Sequence, residues 1–220
     1  MGIVSALRCP KCGKEPASKI VFRCPSCQSI LEVNVEIAHL TRADLQAMSQ
    51  SRDHSIWRWF DFFPLEGRKF IVSLGEGSTP LIHAARLGAD LNIPRLYLKN
   101  DTVLPTGSLK DRSNSVGISK AKELGFAVAT VMSTGNAAAS VAAYSAAAGM
   151  RSVVMVPVGT APSKIIQARA YGATVVVIDG DFDNEVAKLY KAAIQEFGLA
   201  DKVTHVSTAE SMKKAIANRK

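Results

Sequence analysis

Four cysteines carry the plainest chemistry in this sequence. Cys9 and Cys12, then Cys24 and Cys27, form two Cys-x-x-Cys pairs separated by eleven residues. Each pair sets two sulfurs on one tight turn, and two such turns complete a tetrahedron of thiolates around Zn²⁺ at about 2.3 Å. Four thiolates leave no open coordination position, so the metal would hold structure and activate no water. Pro10 and Pro25 lie inside the two turns and restrict the backbone, which suits a preformed metal knuckle. Two redox pairs are the competing reading, and a zinc module alone does not name a function.

Lys110 is the second candidate, in PTGSLKDR, where a loop becomes a helix. A cation there faces the positive end of the helix dipole, at a cost of about 0.3–1 kcal/mol. Losing the charge is one remedy, and an amine of lowered pKa is what imine formation with an aldehyde cofactor uses. A solvated surface lysine, an anion drawn to the same helix end, and Asp111 pairing with Arg112 are the alternatives. The third candidate is STGNAAAS, Ser133 to Ser140. It lies where a strand ends and a helix begins, the place at which open α/β sheets bind ligands. Ser133, Thr134 and the N–H groups of Gly135, Asn136 and Ala137 would form a cup for a carboxylate or phosphate. An ordinary Ser or Thr N-cap followed by a Gly-Asn turn is the plainer account. The histidines at 39, 54, 83 and 205 show no ligand spacing and receive no role.

The elements that must position these residues change texture along the chain. Residues 1–38 hold all four cysteines and alternate apolar with polar at 20–22 and 30–35, as short strands do. Residues 39–95 are irregular, with a helix expected over 41–51, then IWRWFDFFPLEG with both tryptophans, then the turn-rich GEGSTPL. From a strand at 96–99 onward the rhythm is regular. Further strands are expected at 127–132, 152–157, 174–178 and 203–206, with helices at 109–124, 135–148, 163–171 and 184–197. Runs such as VVMV and VVVI indicate parallel strands buried on both faces. The fold class is therefore α/β, a three-layer parallel sheet with right-handed crossovers, preceded by a zinc ribbon.

Composition removes several classes. Of 220 residues, 47% are hydrophobic and 21% charged, with 15 Gly and 4 Cys, which excludes disordered, collagen-like and disulfide-scaffold chains. No apolar run reaches the roughly 18 residues of a membrane span, and the start is too short of apolar residues for a signal peptide. The expected setting is cytoplasmic and reducing. The net charge of +8 divides unevenly: residues 61–210 carry 15 basic and 14 acidic groups, while 211–220 carry 4 basic and none acidic. Half of the excess is a terminal tail, so nucleic acid is not the expected partner.

GEGSTPL (75–81), KNDTVLPTGSLKDR (99–112) and STGNAAAS (133–140), in this order and spacing, resemble threonine synthase, a pyridoxal-phosphate enzyme of the tryptophan-synthase-β fold type. The cysteine quartet and IWRWFDFFPL are similar to the zinc-ribbon-bearing members of that family. The resemblance implies that Lys110 carries pyridoxal phosphate and then serves as base and acid. It implies that Asn136 hydrogen-bonds the cofactor's phenolic oxygen, and that Ser133, Thr134, Gly135, Asn136 and Ala137 hold the substrate carboxylate. The implied reaction converts O-phosphohomoserine to threonine and phosphate, a lyase step of amino-acid biosynthesis. Sister reactions on the same scaffold are a cysteate-synthase-type replacement on phosphoserine and a hydroxyamino-acid dehydratase, and a non-catalytic fragment is the other alternative.

The resemblance also sets the expected domains: zinc ribbon 1–38, linker and partial large domain 39–126, small four-stranded α/β domain 127–206, basic tail 207–220. Two departures stand out. Leu109 occupies the place of a phenylalanine in the family motif, and no glycine cluster matches the family loop that holds the cofactor phosphate. The large domain is thus expected to be incomplete in these 220 residues, with a homodimer or a complementing second polypeptide as expected partners.

Overall fold

The apolar runs read as strands do form a parallel ladder, and the polar, Cys-rich start folds separately from it. The computed structural model describes residues 4–17, 21 and 23–178. The chain divides into two units, Met1–Phe70 and Ile71–Lys220. The expected helix at 184–197, the strand at 203–206 and the tail at 207–220 lie outside the described residues.

In the first unit β1 (Val4–Arg8) pairs antiparallel with β2 (Glu32–Val35). The expected strand at 30–35 begins later than its pattern suggests, because Ile30 makes only a single bridge, to Arg23. Helix α1 (Arg42–Ser49) opens on a capping box: Thr41 Oγ1 accepts from the Asp44 amide, and the Asp44 carboxylate accepts from the Thr41 amide at 2.8 Å. The Thr41 hydroxyl, which also donates to Asp44 Oδ2 at 2.6 Å, and then the Thr41 amide hold the Asp44 carboxyl below its usual range. The tryptophan-rich stretch winds into a 3₁₀ turn, Ile56–Phe62, whose Ser55 cap accepts from the Trp57 amide. Trp57 is buried and meets the Phe63 ring edge-on at 5.2 Å, while the Arg68 guanidinium lies 4.6 Å over Phe60.

The second unit starts with a two-stranded antiparallel sheet, β3 (Leu81–His83) with β4 (Tyr97–Lys99). Helix α2 (Ala85–Asp90) lies between them and turns tightly: a Cβ on Gly88 would stand 2.5 Å from the Ile93 carbonyl oxygen. Both β3 and α2 fall in the stretch whose sequence reads as irregular, whereas β4 lies within the strand expected at 96–99. Helix α3 (Lys110–Glu123) leads into β5 (Val128–Met132), α4 (Asn136–Ala147), β6 (Arg151–Pro157), α5 (Pro162–Ala170) and β7 (Thr174–Ile178). The strands run parallel in the order β5-β6-β7.

Burial on both faces holds for the central strand only. Val153 to Val156 of β6 are all buried, each worth about 1.5–3 kcal/mol relative to exposure. The flanking strands β5 and β7 are only partly covered, and Val177 is exposed. Helix α4 is buried on every side from Ala138 to Ser145, packing on β5, β6, α3 and α5. Its alanines and serines make this close approach feasible.

Candidate active site

Helix α3 buries a polar stripe where an amphipathic pattern would place apolar residues. Asp111, Ser115 and Ser119 recur at every fourth position and are fully buried. Each has a partner. Ser119 Oγ accepts from the Val72 amide at 2.8 Å. Ser115 Oγ lies 2.5 Å from Glu76 Oε1 and 2.8 Å from the Val72 carbonyl oxygen. Asp111 accepts through Oδ2 from the Thr106 amide at 2.7 Å, and through Oδ1 from Thr106 Oγ1 at 2.6 Å and from Ser140 Oγ at 2.7 Å.

Helix α4 answers with a matching stripe, Ser140 and Tyr144, both fully buried. The Tyr144 hydroxyl donates to Glu76 Oε2 at 2.7 Å, an oxygen that also accepts from the Leu74 amide at 2.9 Å. Burial first, then the Glu76 hydrogen bond, push the Tyr144 phenol far above its usual pKa. Asp111 pairs with Ser140 near the starts of the two helices, and Ser115 with Tyr144 through Glu76 one turn further on. The helices therefore run in the same sense, and their N-terminal turns lie side by side.

At those turns stand the residues the sequence singles out. Lys110 is the first residue of α3 and is exposed, and among the described residues its amine has no hydrogen bond or ion pair. The pairing of Asp111 with Arg112 does not form. Asp111 turns inward to Thr106 and Ser140, while Arg112 clasps Asp101 with Nε at 2.9 Å and an Nη at 2.8 Å. Arg112, then Thr79, hold the Asp101 carboxyl down to about 2. Thr79 Oγ1 completes the triangle by donating to Asp101 at 2.7 Å and accepting from Arg112 at 3.0 Å. This triangle fixes the TGSLK loop, and Gln167 of α5 adds a bond to the Thr106 carbonyl at 3.2 Å. Leu109, in the phenylalanine position, is exposed and caps nothing with its side chain.

The N-cap of α4 is Gly135, and no side chain caps this helix. The plainer account of STGN, a Ser or Thr N-cap, is thereby set aside. Ser133 Oγ accepts instead from the Gly135 amide at 3.3 Å, and the amides of Asn136 and Ala137 begin the helix. Uncapped amides at the positive end of a helix suit an anion. Asn136 is exposed and Ser133, Thr134, Gly135 and Ala137 are half-buried, so all five candidate residues are reachable from solvent.

The cysteines converge as their spacing suggests. All four Sγ atoms lie within 4.8 Å of one another, with Cys9–Cys27 and Cys12–Cys24 at 3.5 Å and Cys12–Cys27 at 3.7 Å. A tetrahedron of thiolates around zinc has edges of about 3.8 Å, while a disulfide would need about 2.05 Å. The two knuckles repeat one backbone design. Gly13 donates to the Cys9 carbonyl and Gln28 to the Cys24 carbonyl, each at 2.9 Å and each with positive φ, +72° and +60°. The Ser26 amide, despite opposing burial, holds the Cys24 thiol down to about 6, toward the thiolate a metal binds, whereas against the pull of the Lys14 amide the Cys9 and Cys24 sulfurs push the Cys12 thiol up to about 11.

Lys110, whose amine has no partner among the described residues, begins α3 beside the uncapped start of α4, a placement that suits the aldehyde end of the group the resemblance implies. One turn beyond Lys110 on the same helix, Asn114 Nδ2 is buried without a partner among the described residues. Among those residues no helix is long and apolar enough to cross a membrane.

Comparison with known proteins agrees. The chain is 40% identical over 179 residues to a threonine synthase from Methanocaldococcus jannaschii, covering 80% of this chain and 44% of the relative. It is 35% identical over 192 residues to a threonine synthase from Methanosarcina acetivorans, covering 86% of this chain and 46% of that one. The chain thus spans less than half the length of either relative. In fold it is similar to the apo form of diaminopropionate ammonia lyase from Escherichia coli, with a TM-score of 0.51 and 17% identity over 57% of this chain and 40% of that one. The model for pyridoxal-phosphate dependent enzymes matches residues 72–217, which include the Lys110 loop, the polar stripes and the uncapped α4, and the chain belongs to that family.

Proposed function

We propose that this chain is the lysine-bearing portion of a threonine-synthase-type enzyme acting on O-phosphohomoserine, with Lys110 as the cofactor lysine. The observation that carries the reading is that Lys110, unpartnered among the described residues, begins α3 beside the uncapped N-terminus of α4, in a chain 35–40% identical to threonine synthases over most of its length. Lys110 would hold pyridoxal phosphate, with Asn136 at its phenolic oxygen. When bound, the cofactor supplies an electron sink for charge developing on substrate carbons.

The chain's own residues do the rest. Ser133, Thr134 and the amides of Gly135 to Ala137 would orient the substrate carboxylate, and the freed Lys110 amine would take and return protons at successive carbons. Cys9, Cys12, Cys24 and Cys27 would hold one structural Zn²⁺ within the first unit. The exposed Leu81, Ile82, Tyr97 and Leu98 of the β3–β4 sheet support completion of the large domain by further polypeptide.

The test is the absorbance of bound pyridoxal phosphate and its response to candidate substrates. A spectral change with O-phosphohomoserine but not with O-phosphoserine supports the reading. A change with O-phosphoserine alone assigns the chain to the replacement reaction, a change with serine or threonine alone to the dehydratase, and bound cofactor that answers to none of them marks a non-catalytic fragment.

A further inference from the structure

We propose that Asp111 is a positioning residue, acting with Thr106 to hold Lys110 against the N-terminus of α4. The inference rests on the reading of Lys110 as the cofactor lysine. Asp111 follows that lysine directly in the chain and is fully buried, whereas Lys110 is exposed. Its two oxygens accept three hydrogen bonds from two separate places. Thr106 supplies its amide at 2.7 Å and its hydroxyl at 2.6 Å, which closes the loop before Lys110. Ser140 supplies its hydroxyl at 2.7 Å, which joins α3 to the second turn of α4. An exposed lysine has many rotamers, and only the anchor of its Cα limits the space its amine explores. Among the described bonds, Asp111 ties the start of α3 directly to α4, so it sets where the amine stands relative to Asn136 and the cup that begins at Ser133.

Every bond runs toward Asp111 as an acceptor. Asp111→Asn can keep the Thr106 amide bond only by turning its NH2 toward the Thr106 and Ser140 hydroxyls, each of which must then reverse from donor to acceptor, and the charge that strengthens all three bonds is lost. Glu76 provides the control. It too is fully buried and joins α3 to α4, through Ser115 and Tyr144, but it does so deeper along both helices. A purely structural role predicts that Asp111→Asn and Glu76→Gln behave alike.

The experiment titrates pyridoxal phosphate into the wild-type chain, D111N, E76Q, T106V and T106S. It reads bound-cofactor absorbance and, without cofactor, the melting temperature of each. Thr106→Val keeps the side-chain shape and loses the hydroxyl, whereas Thr106→Ser keeps the hydroxyl. D111N and T106V are expected to weaken cofactor binding by about tenfold or more, the worth of one charge-assisted or buried hydrogen bond. T106S and E76Q are expected to stay within about twofold of wild type, although E76Q loses as much thermal stability as D111N. Binding that falls in D111N and E76Q alike, in step with melting temperature, overturns the proposal. So does binding unchanged in D111N. Failure of the wild-type chain to take up cofactor would instead refute the reading of Lys110. Amide hydrogen exchange on the cofactor-free chain then decides the positioning role: D111N must speed exchange at the first bonded amides of the two helices, 112–114 and 139–141, more than E76Q does, and equal rates overturn it.

Discussion

Tyr144→Phe tests whether the facing polar stripes of α3 and α4 stabilise the second unit. The ring is fully buried, and its hydroxyl donates to Glu76 Oε2 at 2.7 Å. Phenylalanine fills the same space less one oxygen, so the cavity contribution is small and the loss is that of a hydrogen bond to a buried acid. Such bonds are worth about 1.5–3 kcal/mol. Oε2 keeps the Leu74 amide at 2.9 Å and the Ser73 hydroxyl at 3.2 Å, so Glu76 is not stripped of partners. The expected loss therefore lies near the lower end, about 1.5–2 kcal/mol, or about 3–8 °C in melting temperature for a chain of this size. Urea unfolding followed by far-ultraviolet circular dichroism measures it. A double-mutant cycle with Glu76→Ala, which removes the acceptor, should return a coupling of about 1 kcal/mol or more. A Tyr144→Phe variant within about 0.5 kcal/mol of wild type, with no coupling to Glu76, would refute the reasoning.

Two other outcomes follow from charge and metal. Asp101 has a folded pKa of about 2, below its unfolded value, so its contribution is fully present above about pH 4 and is lost as pH falls toward 2. Discounted for partial exposure, the loss is about 1–2 kcal/mol; Asp101→Asn should be less stable at pH 5 and lose less than wild type by about that amount across the window, as urea midpoints would show, whereas parallel acid profiles would contradict the account. Elemental analysis should find about one zinc per chain, and a strong chelator or Cys24→Ser should unfold the first unit while leaving the second unit's melting unchanged. A chelator-insensitive first unit would contradict the structural-zinc reading.

The sequence and the structure agree where the signal is a period or a spacing. The strand at 174–178 forms over those residues, α4 and α5 start within a residue of expectation, and the cysteines meet as two turns of two. What stayed hidden depends on contacts between distant segments. Nothing in the sequence marks Asp111, Ser115 and Ser119 as buried, because polar residues at helical spacing ordinarily meet water. They are buried because the 72–76 segment, the loop at Thr106 and α4 bring them donors and acceptors from afar. Glu76 likewise reads as part of a turn-rich loop, yet it is wholly enclosed. The lone signal that could have exposed it is Tyr144 in a helix otherwise made of small residues, since a buried tyrosine hydroxyl requires a partner. The roles proposed for Lys110 and Asn136 rest on motif order, since a lysine at a helix start is ambiguous by physics alone.

The central claim is that Lys110 is the lysine that takes the cofactor. Incubating the purified chain with pyridoxal phosphate, reducing with borohydride and mapping the labelled peptides by mass spectrometry measures this directly. The account predicts a pyridoxyl group concentrated on Lys110, and a Lys110→Ala chain that gains no replacement label at Lys99, Lys120 or Lys122. Label distributed over the lysines according to their exposure, and unchanged in total by Lys110→Ala, would contradict it.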